Sequence, residues 1–399
     1  MCDNRHYISE VPLSLNSVRK RVEAFLSSNG LRLAALERYV VISRDEDGDE
    51  IIAGGGLDGN VIKCVAVSEA ARSEGLMNIL VSRLIAIAHE EGHDSVKAFT
   101  KPANEDIFKS LGFELLASSN NAILMENGRG GLPEYRKYLE SLARPGRNGA
   151  IVMNANPFTK GHRYLIEQAA SQVDNLYVIV VKEDRSRFPY VERKAMIEAG
   201  CSGLDNVIVC EGSDYAVSAA TFPTYFLKQL DDATPTHIAL DLDLFVKHIA
   251  RPLGVTVRFA GSEPEDNLTH CYNEMMSEIL PAGGYNATSQ ENGIKFVEIP
   301  RLEQNGRPVS ATSLRSALDR GDLKAAMEFV PVSTVPYLIA DLAERSLRLE
   351  LDTTPKPGLV DKQDNGSHKD MDYALMSASI SALRPYLTKI AVGAVAGVN

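Results

Sequence analysis

The spacing of apolar residues predicts two successive stretches of alternating strands and helices. In the first stretch, apolar residues three and four positions apart predict a helix that ends at Gly30. Runs rich in β-branched residues predict strands over 39–43, 51–57, 61–67 and 95–100, and a long helix is predicted over 76–91. A central strand is therefore followed by a short turn and then by a long helix.

The second stretch repeats the alternation of strands and helices more regularly. Strands are predicted over 150–153, 176–181, 206–210, 237–240, 255–259 and 295–299, with helical segments between most of them. This pattern is typical of a parallel sheet with helices on both faces, in which ligands bind beyond the carboxyl ends of the strands. The Gly- and charge-rich segment 127–146 separates the two stretches and predicts a linker.

Composition and charge limit the classes of function. The 399 residues are enough for two or three domains, and 44% of them are hydrophobic, as in globular proteins. A formal net charge of −11 argues against a general nucleic-acid binder and against binding to anionic membranes. The five cysteines contain no C-x-x-C pair, and no apolar run reaches the length of a membrane span. We expect reduced thiols, no nucleic-acid or membrane partner, and a cytoplasmic location.

The turn after the strand at 150–153 carries the most specific motif. Thr159, Gly161 and His162 follow the pattern T/H-x-G-H at a strand-to-helix junction. Gly161 lets a phosphate approach the backbone, and the helix N-terminus directs N–H groups and partial positive charge towards it. Thr159 and His162 offer side-chain donors to the charge that develops at phosphorus during the reaction, so both are candidate catalytic residues. The motif indicates a nucleotidyltransferase acting on the α-phosphate of ATP, and the sequence has no Walker loop.

A second cluster opens a later helix of the same stretch. Ser310, Thr312 and Arg315 fit the pattern I/V-S-x-T-x-x-R, which pairs with T/H-x-G-H in nucleotidyltransferases. Ser310 and Thr312 can donate to phosphate, and the alternative for either is a simple N-cap. Arg315 offers a planar fork that matches phosphate oxygens and is the third candidate catalytic residue.

Other candidate nucleotide-binding residues follow the ends of predicted strands. They fall in loops that a parallel sheet brings to one edge. For Lys182, the alternative interpretation is a solvated residue at the end of a strand. With the helix-opening residues, the candidates are Asn154, Asn156, Gly161, Lys182, Gly261, Glu263, Ser310 and Thr312.

The first stretch resembles the GNAT acetyltransferase fold. The resemblance rests on the order of the elements, on the turn from Arg72 to Gly75 before the long helix, and on L-G-F at 111–113. In that fold the amides of the turn hold the pyrophosphate of an acyl-coenzyme A, which implies that Arg72 and Gly75 bind a pantetheine-bearing group. Met77 departs from the usual R/Q-x-x-G-x-G/A pattern, and an ordinary surface turn is the alternative.

Five longer segments read NANPFTKGHRYLIEQA, VVKEDRSRFPYVER, ATFPTYFLK, RFAGSEP with a following YNE, and VSATSLR. Through these segments the chain resembles the citrate lyase ligase family, and the resemblance covers about 1–345. It implies an AMP-forming acid–thiol ligase, in which ATP and acetate give acetyl-AMP and pyrophosphate. The acetyl group then passes to the prosthetic-group thiol of the citrate lyase acyl carrier subunit. A magnesium complex of ATP is expected on general grounds, and the sequence names no metal ligand.

The residues from 343 onward resemble a different family, triphosphoribosyl-dephospho-CoA synthase, through the segment TTPKPGLVDKQDNGSHKDMD. We therefore expect an α/β protein with three parts: a GNAT-like acyltransferase domain over 1–128, a Rossmann-like nucleotidyltransferase domain over 145–342, and a partial helical segment over 343–399. No activity is assigned to the last part. Two alternative functions stay open: a coenzyme-A-pathway adenylyltransferase and a non-catalytic acyl-carrier-binding module.

Overall fold

Runs of β-branched and aromatic residues form a seven-stranded sheet in the N-terminal part of the chain. Its strands are β1 (Tyr7–Glu10), β2 (Arg38–Ser43), β3 (Ile51–Asp58), β4 (Val61–Val67), β5 (Ser95–Thr100), β6 (Glu114–Ser118) and β7 (Ile123–Gly128). They lie in the order β1-β2-β3-β4-β5-β7-β6, and the helices of this part are α1 (Asn16–Ser28), α2 (Leu76–Glu90), α3 (Glu105–Ser110) and α4 (Leu132–Leu142).

The computed structural model describes residues 6–46, 50–182, 186–216, 234–263, 266–284, 293–304, 307–353, 382 and 384–393.

The parallel pairing of β4 with β5 sets the topology of this sheet. The pairs β1–β2, β2–β3, β3–β4, β5–β7 and β6–β7 are antiparallel, and the chain crosses from β4 to β5 through α2. Leu80, Leu84 and Ala88 recur every four residues along α2, so they share one face and are buried in the core with the sheet. This order of elements confirms the GNAT-like fold that the sequence predicts.

β4 and β5 separate soon after they begin to pair. Their parallel register joins Val61 with Lys97 and Ile62 with Ala98, while β4 continues to Val67 and β5 to Thr100. The register of β3 with β4 shifts beside this point, and Cys64 in β4 takes a φ of +55°. Such an irregularity bends a strand, so the carboxyl halves of β4 and β5 diverge.

A five-stranded sheet forms the core of the C-terminal part. Its strands are β8 (Asn148–Met153), β9 (Asn175–Val180), β10 (Val207–Cys210), β11 (Val255–Gly261) and β12 (Lys295–Ile299), in the order β10-β9-β8-β11-β12. β8 and β10 both pair in parallel with β9, and the connecting helices are α5 (Lys160–Ala170) and α6 (Tyr190–Gly200). Every residue of β9 is buried, as expected for a parallel strand covered on both faces. The α/β class with a parallel sheet is thus confirmed.

The other described elements are mainly helices. They are α7 (Thr234–Leu244), continued as helix through Phe245–Ala250 and Arg251–Leu253, then α8 (Asn267–Ile279), α9 (Ala311–Asp319), α10 (Leu323–Met327) and α11 (Val335–Thr353). A short antiparallel pair joins β13 (Glu303–Gln304) with β14 (Arg307–Pro308), and residues 384–393 are helical. Among the helices of the described ranges, none combines the length and apolar character needed to cross a membrane.

The structure differs from the sequence prediction in two segments. Residues 237–240 lie inside α7 and not in a strand, so this prediction is wrong. α7 is buried at every position from 237 to 244, and a fully buried run shows no alternation that separates helix from strand. The segment predicted as a linker, 127–146, contains α4, which buries Leu132, Tyr135 and Leu139 at helical spacing.

The described residues group into two compact units whose segments alternate along the chain. The first unit takes its residues from 1–145, 213–257 and 264–296, and the second from 146–212, 258–263 and 297–399. The domain boundaries that the sequence suggests, at 128, 145 and 342, stay predictions. The first unit is therefore assembled from segments that are far apart in sequence.

A buried ion pair in the first of those segments is hydrogen-bonded to a tyrosine in the second. Lys97 on β5 and Glu126 on β7 are register partners, and Lys97 Nζ lies 3.4 Å from Glu126 Oε1. The Tyr215 hydroxyl lies 3.0 Å from each carboxylate oxygen of Glu126, and Ser95 donates to Glu126 at 3.0 Å. Lys97, Glu126 and Tyr215 are all at least nine-tenths buried. Since water cannot solvate these charges, each depends on its partners.

Replacing Lys97 by Met should lower the free energy of unfolding by about 3–5 kcal/mol, because the carboxylate of Glu126 would stay buried without its cation. Urea titration followed by circular dichroism measures the loss. The double variant Lys97→Met/Glu126→Gln should recover part of it, since the buried negative charge is then absent. Equal losses in the single and double variants would show that the charge of Glu126 is not the cause.

Candidate active site

The T/H-x-G-H motif forms the N-terminus of α5. Thr159 is the N-cap: its Oγ1 accepts the backbone N–H of His162 at 3.2 Å, and its own N–H donates to His162 Nδ1 at 3.0 Å. This reciprocal capping fixes both side chains against the backbone of the turn. Thr159 is only 2% exposed. The structure therefore places Thr159 as the residue that orients His162, and its contact with a nucleotide stays a prediction.

The same hydrogen bond determines the tautomer of His162. A backbone N–H can only donate, so Nδ1 must present its lone pair and the neutral ring carries its proton on Nε2. The pKa of His162 is lowered to about 4, first by burial and then by the positive charges of Arg301 and Arg315. Near neutral pH, His162 is thus a neutral side chain with one N–H donor left for another group.

The second motif forms the N-terminus of α9. Ser310 is the N-cap and accepts from the backbone N–H groups of Thr312 and Ser313 at 3.1 Å and 3.5 Å. Arg315 donates to the hydroxyl of Thr312 at 3.1 Å and to the backbone carbonyl of Asn156 at 2.8 Å. The hydrogen bond to Asn156 joins α9 to the loop that leads into α5. Both motifs therefore lie in one site.

Gly161 lies next to the start of the second motif. A Cβ at this position would lie 3.4 Å from the carbonyl oxygen of Val309 and 3.5 Å from Thr159 Oγ1, which are ordinary contact distances. The packing of the protein itself can therefore accept a small side chain here. Glycine does matter if a phosphate approaches the N-terminus of α5, because a Cβ would stand in its way.

The loop between β8 and α5 is held by polar contacts with the segment before α6. Asn154 and Ser186 are joined by hydrogen bonds of 3.2 and 3.3 Å, and Asn156 Oδ1 accepts the backbone N–H of Phe188 at 3.1 Å. The fully buried guanidinium of Arg193 donates to the carbonyl oxygens of Asn154, Val181 and Phe188 at 2.7 to 3.0 Å. The two predicted asparagines thus help to shape the site, and their contact with a nucleotide stays a prediction.

A guanidinium that the sequence did not single out follows β12. Arg301 donates to the carbonyl oxygen of Ser262 at 3.1 Å and forms an ion pair with Glu263, both in the turn after β11. Gly261 ends β11, and a Cβ there would meet no atom within 4 Å. The carboxylate of the predicted residue Glu263 therefore holds Arg301, whose charge also acts on His162. A lone arginine after a strand carries no motif, so only the fold reveals it.

The other predicted site residues lie at exposed positions. Lys182 follows β9 and is exposed, at the same edge as the loop after β8. Gly75 takes a φ of +72° and caps the start of α2, and the Arg72 side chain is 66% exposed. Met77, where the GNAT pattern has a small residue, packs against the buried core. Met77, the residue that departs from the GNAT pattern, therefore contributes to the hydrophobic core.

Comparison with known proteins identifies the family. The "[Citrate [pro-3S]-lyase] ligase" of Klebsiella pneumoniae is 41% identical over 328 residues, which cover 82% of this chain and 94% of that protein. The protein of the same name from Escherichia coli K12 is 40% identical over 333 residues, which cover 83% of this chain and 93% of that protein. The chain belongs to the citrate lyase ligase family. Its predicted class, a ligase, is confirmed, and residues 148–338 match the model of the citrate lyase ligase C-terminal domain.

The C-terminal residues of this family member are similar to a second protein family. Residues 336–397 match the model of ATP:dephospho-CoA triphosphoribosyl transferase. The 2-(5''-triphosphoribosyl)-3'-dephosphocoenzyme-A synthase of Pectobacterium atrosepticum is 45% identical over 74 residues, which are 17% of this chain and 25% of that protein. The predicted resemblance is confirmed. Residues 354–381, 383 and 394–399 of this segment lie outside the described residues.

Solved structures similar to this ligase family member include acetyltransferases. Escherichia coli ElaA has 17% sequence identity and a TM-score of 0.26, and the match covers 31% of this chain and 99% of that one. A GNAT-family acetyltransferase from Staphylococcus aureus Mu50 has 12% identity and a TM-score of 0.27, with coverage of 32% and 100%. At TM-scores this low, we base the GNAT-like fold on the strand order described above and not on these matches.

The imidazole of His162 should titrate with a midpoint near pH 4 in the free protein, because burial and two guanidinium groups oppose its protonation. Its folded pKa lies below the unfolded value of about 6.5, so the protein should lose stability as the pH falls from about 6.5 towards 4. NMR of histidine-labelled protein measures the midpoint, and a His162→Gln variant assigns the signal. Arg301→Gln should raise the midpoint. A midpoint near 6.5 in the unmodified protein would contradict the electrostatics described.

Proposed function

We propose that the protein activates acetate with ATP and transfers the acetyl group to the prosthetic-group thiol of the citrate lyase acyl carrier subunit. In the first step, an acetate oxygen forms a bond to the α-phosphorus of ATP and the bond to pyrophosphate breaks. In the second, the thiolate attacks the acetyl carbonyl and AMP leaves. The name of the family supports the ligase reaction, and the acetyl-AMP route is the part that we add.

The convergence of the two motifs is the observation that carries the first step. The N-termini of α5 and α9 meet where Arg315 donates to Asn156 and Gly161 lies beside Val309. Helix N-termini attract anions through free N–H groups and the helix dipole. A triphosphate bound at these N-termini would meet hydrogen-bond donors already directed at the phosphate oxygens that gain negative charge in the reaction.

His162, Arg315 and Arg301 have separate roles in this proposal. The Nε2–H of neutral His162 donates to an oxygen of the α-phosphate as the bond to pyrophosphate breaks. Arg315 and Arg301 carry the fixed positive charges that the departing pyrophosphate requires. Thr159 acts through His162, because its N–H holds the tautomer that leaves Nε2 protonated. Each role needs only groups that the described fold already orients.

Magnesium fits this site as part of the ATP complex. In the part of the chain that the structure describes, no three His, Cys, Asp or Glu side chains are grouped to hold a metal. Glu263, the acidic residue among the predicted binding residues, is paired with Arg301. Mg²⁺ usually keeps phosphate and water ligands, and it would here neutralise phosphate charge. The residues present therefore suit a metal that arrives with the substrate.

The first unit supplies features suited to the second step. Gly75 begins α2 in the left-handed conformation, Arg72 projects into solvent, and β4 parts from β5 beyond Ile62 and Ala98. Strands that part leave backbone groups able to pair with the amides of an extended pantetheine arm. The exposed guanidinium of Arg72 suits the phosphates of such a group. These features support the proposed site for the carrier's prosthetic group.

Replacing His162 by Ala should reduce acetate-dependent exchange of label between ATP and pyrophosphate by roughly 100-fold or more, while binding of the acyl carrier is retained. His162→Asn tests the donor itself, since its amide oxygen can still accept the N–H of Thr159. Arg163→Ala, on the exposed side of the same helix, is the matched control and should exchange normally. Undiminished exchange in the His162 variants would refute the role of this side chain.

The same assay separates the alternatives for the acceptor. Exchange that requires 4′-phosphopantetheine in place of acetate would identify a coenzyme-A-pathway adenylyltransferase. Carrier binding without any exchange would identify a non-catalytic binding module. Exchange that depends on acetate supports the ligase reaction proposed above.

Replacing Arg72 by Glu should slow acetyl transfer to the carrier about tenfold without changing acetate-dependent exchange, because the charge facing the prosthetic group is reversed. Transfer is measured by mass spectrometry of the carrier, with Arg83→Glu on α2 as a control of equal charge change. A parallel loss of exchange would show that Arg72 acts elsewhere than in the second step.

A further inference from the structure

One side chain from beyond the ligase family match is bound by buried acidic residues of the second unit. Arg384 begins the helical residues 384–393, and its side chain is only 13% exposed. Two of its nitrogens donate to the carboxylate of Glu192 at 2.8 and 3.0 Å, and a third donates to Glu344 at 2.9 Å. Its guanidinium also lies 5.3 Å from the centre of the Phe188 ring. This is the bidentate and stacked geometry that arginine forms and lysine does not.

The receiving surface is a buried cluster of carboxylates. Glu192, Asp341 and Glu344 are 8%, 3% and 7% exposed, and together with the ring of Phe188 they form what we call the carboxylate pocket. Arg348 donates to Glu344 at 2.9 Å, and Arg384 lies 3.6 Å from Asp341. Buried carboxylates need cationic partners, since water cannot reach them. The pocket is thus chemically matched to the guanidinium that occupies it.

The carboxylate pocket is connected to the candidate active site. Asp341 also accepts from Arg187, with a closest distance of 2.5 Å, so it lies between the guanidinium groups of Arg187 and Arg384. Phe188, whose ring lies under Arg384, donates its N–H to Asn156. Asn156 in turn supplies the carbonyl that Arg315 binds. The contacts therefore run from Arg384 through Phe188 to Asn156, in the loop before the first motif, and from there to Arg315 of the second motif.

We propose that the segment bearing Arg384 docks in the carboxylate pocket and there positions residues 186–188 for the nucleotide site. Arg384 is a positioning residue, because it touches none of the groups assigned to the reaction. The ligase family match ends at 338, whereas Arg384 lies in the second match, 336–397. The docking joins the two family matches of one chain. Its effect on ATP rests on the proposed function, and the docking itself does not.

The docking is tested with the full chain by a thermal double-mutant cycle. Arg384→Ala should lower the melting temperature by about 5 °C or more, since three buried carboxylates lose a shared cation. Adding Glu192→Gln to this variant should cost little more, because the two side chains act together. Lys389→Ala, an exposed charge on the same helical segment, is the matched control and should leave the melting temperature unchanged. Additive losses from the two variants, or a loss in the control as large as in Arg384→Ala, would overturn the docking.

The positioning role is tested by the kinetics of acetate-dependent exchange. Arg384→Ala should raise the KM for ATP about tenfold with a smaller change in kcat, because residues 186–188 would no longer be held for nucleotide binding. Arg384→Lys should restore only part of the KM, since an ammonium cannot form the bidentate pair with Glu192. If the KM for ATP is unchanged while the melting temperatures show that Arg384 and Glu192 act together, the positioning role is overturned and the docking stands. If the unmodified protein shows no exchange, the proposed function fails, while the thermal cycle still decides the docking.

Discussion

The hydrogen bond from the Thr159 amide to His162 Nδ1 is the contact on which the candidate site depends. It ends the loop after β8, begins α5, and leaves the proton of a neutral imidazole on Nε2. Burial and the two nearby guanidinium groups then keep the ring neutral at ordinary pH by lowering its pKa. The contacts that cap the helix are thus the same ones that leave an N–H donor on Nε2 of His162.

Each guanidinium group around this contact is held by oxygen atoms of identified partners. Arg301 is held by Glu263, Arg187 by Asp341 and Asp319, and Arg315 by backbone and hydroxyl oxygens. A net charge of −11 for the whole chain is therefore compatible with a local concentration of guanidinium groups. A protein that is acidic as a whole can thus hold several guanidinium groups near one turn.

The sequence predicted those parts of the site whose chemistry is local. Thr159, His162 and Ser310 make their capping contacts within one turn of their own helices, so motif spacing was sufficient to place them at these helix N-termini. Arg301 could not be found in this way, because its position depends on the pairing of β12 into the sheet and on the turn that contains Ser262. The strand predicted at 237–240 is helix for a related reason: a segment buried all around shows no hydrophobic period.

The interleaving of the two units along the chain has a consequence for how the protein reaches its fold. Glu126 meets Tyr215 only after the chain has passed through β8, β9 and β10 of the other unit. Both partners of the ion pair, Lys97 and Glu126, lie in the seven strands, whereas the hydrogen bonds of Tyr215 to Glu126 form only after the later segment has been synthesised. Long sequence separation between contacting residues slows folding, since loops must close before the contacts stabilise them. The final packing around the Glu126 carboxylate is in this way linked to synthesis of the segment that follows β10.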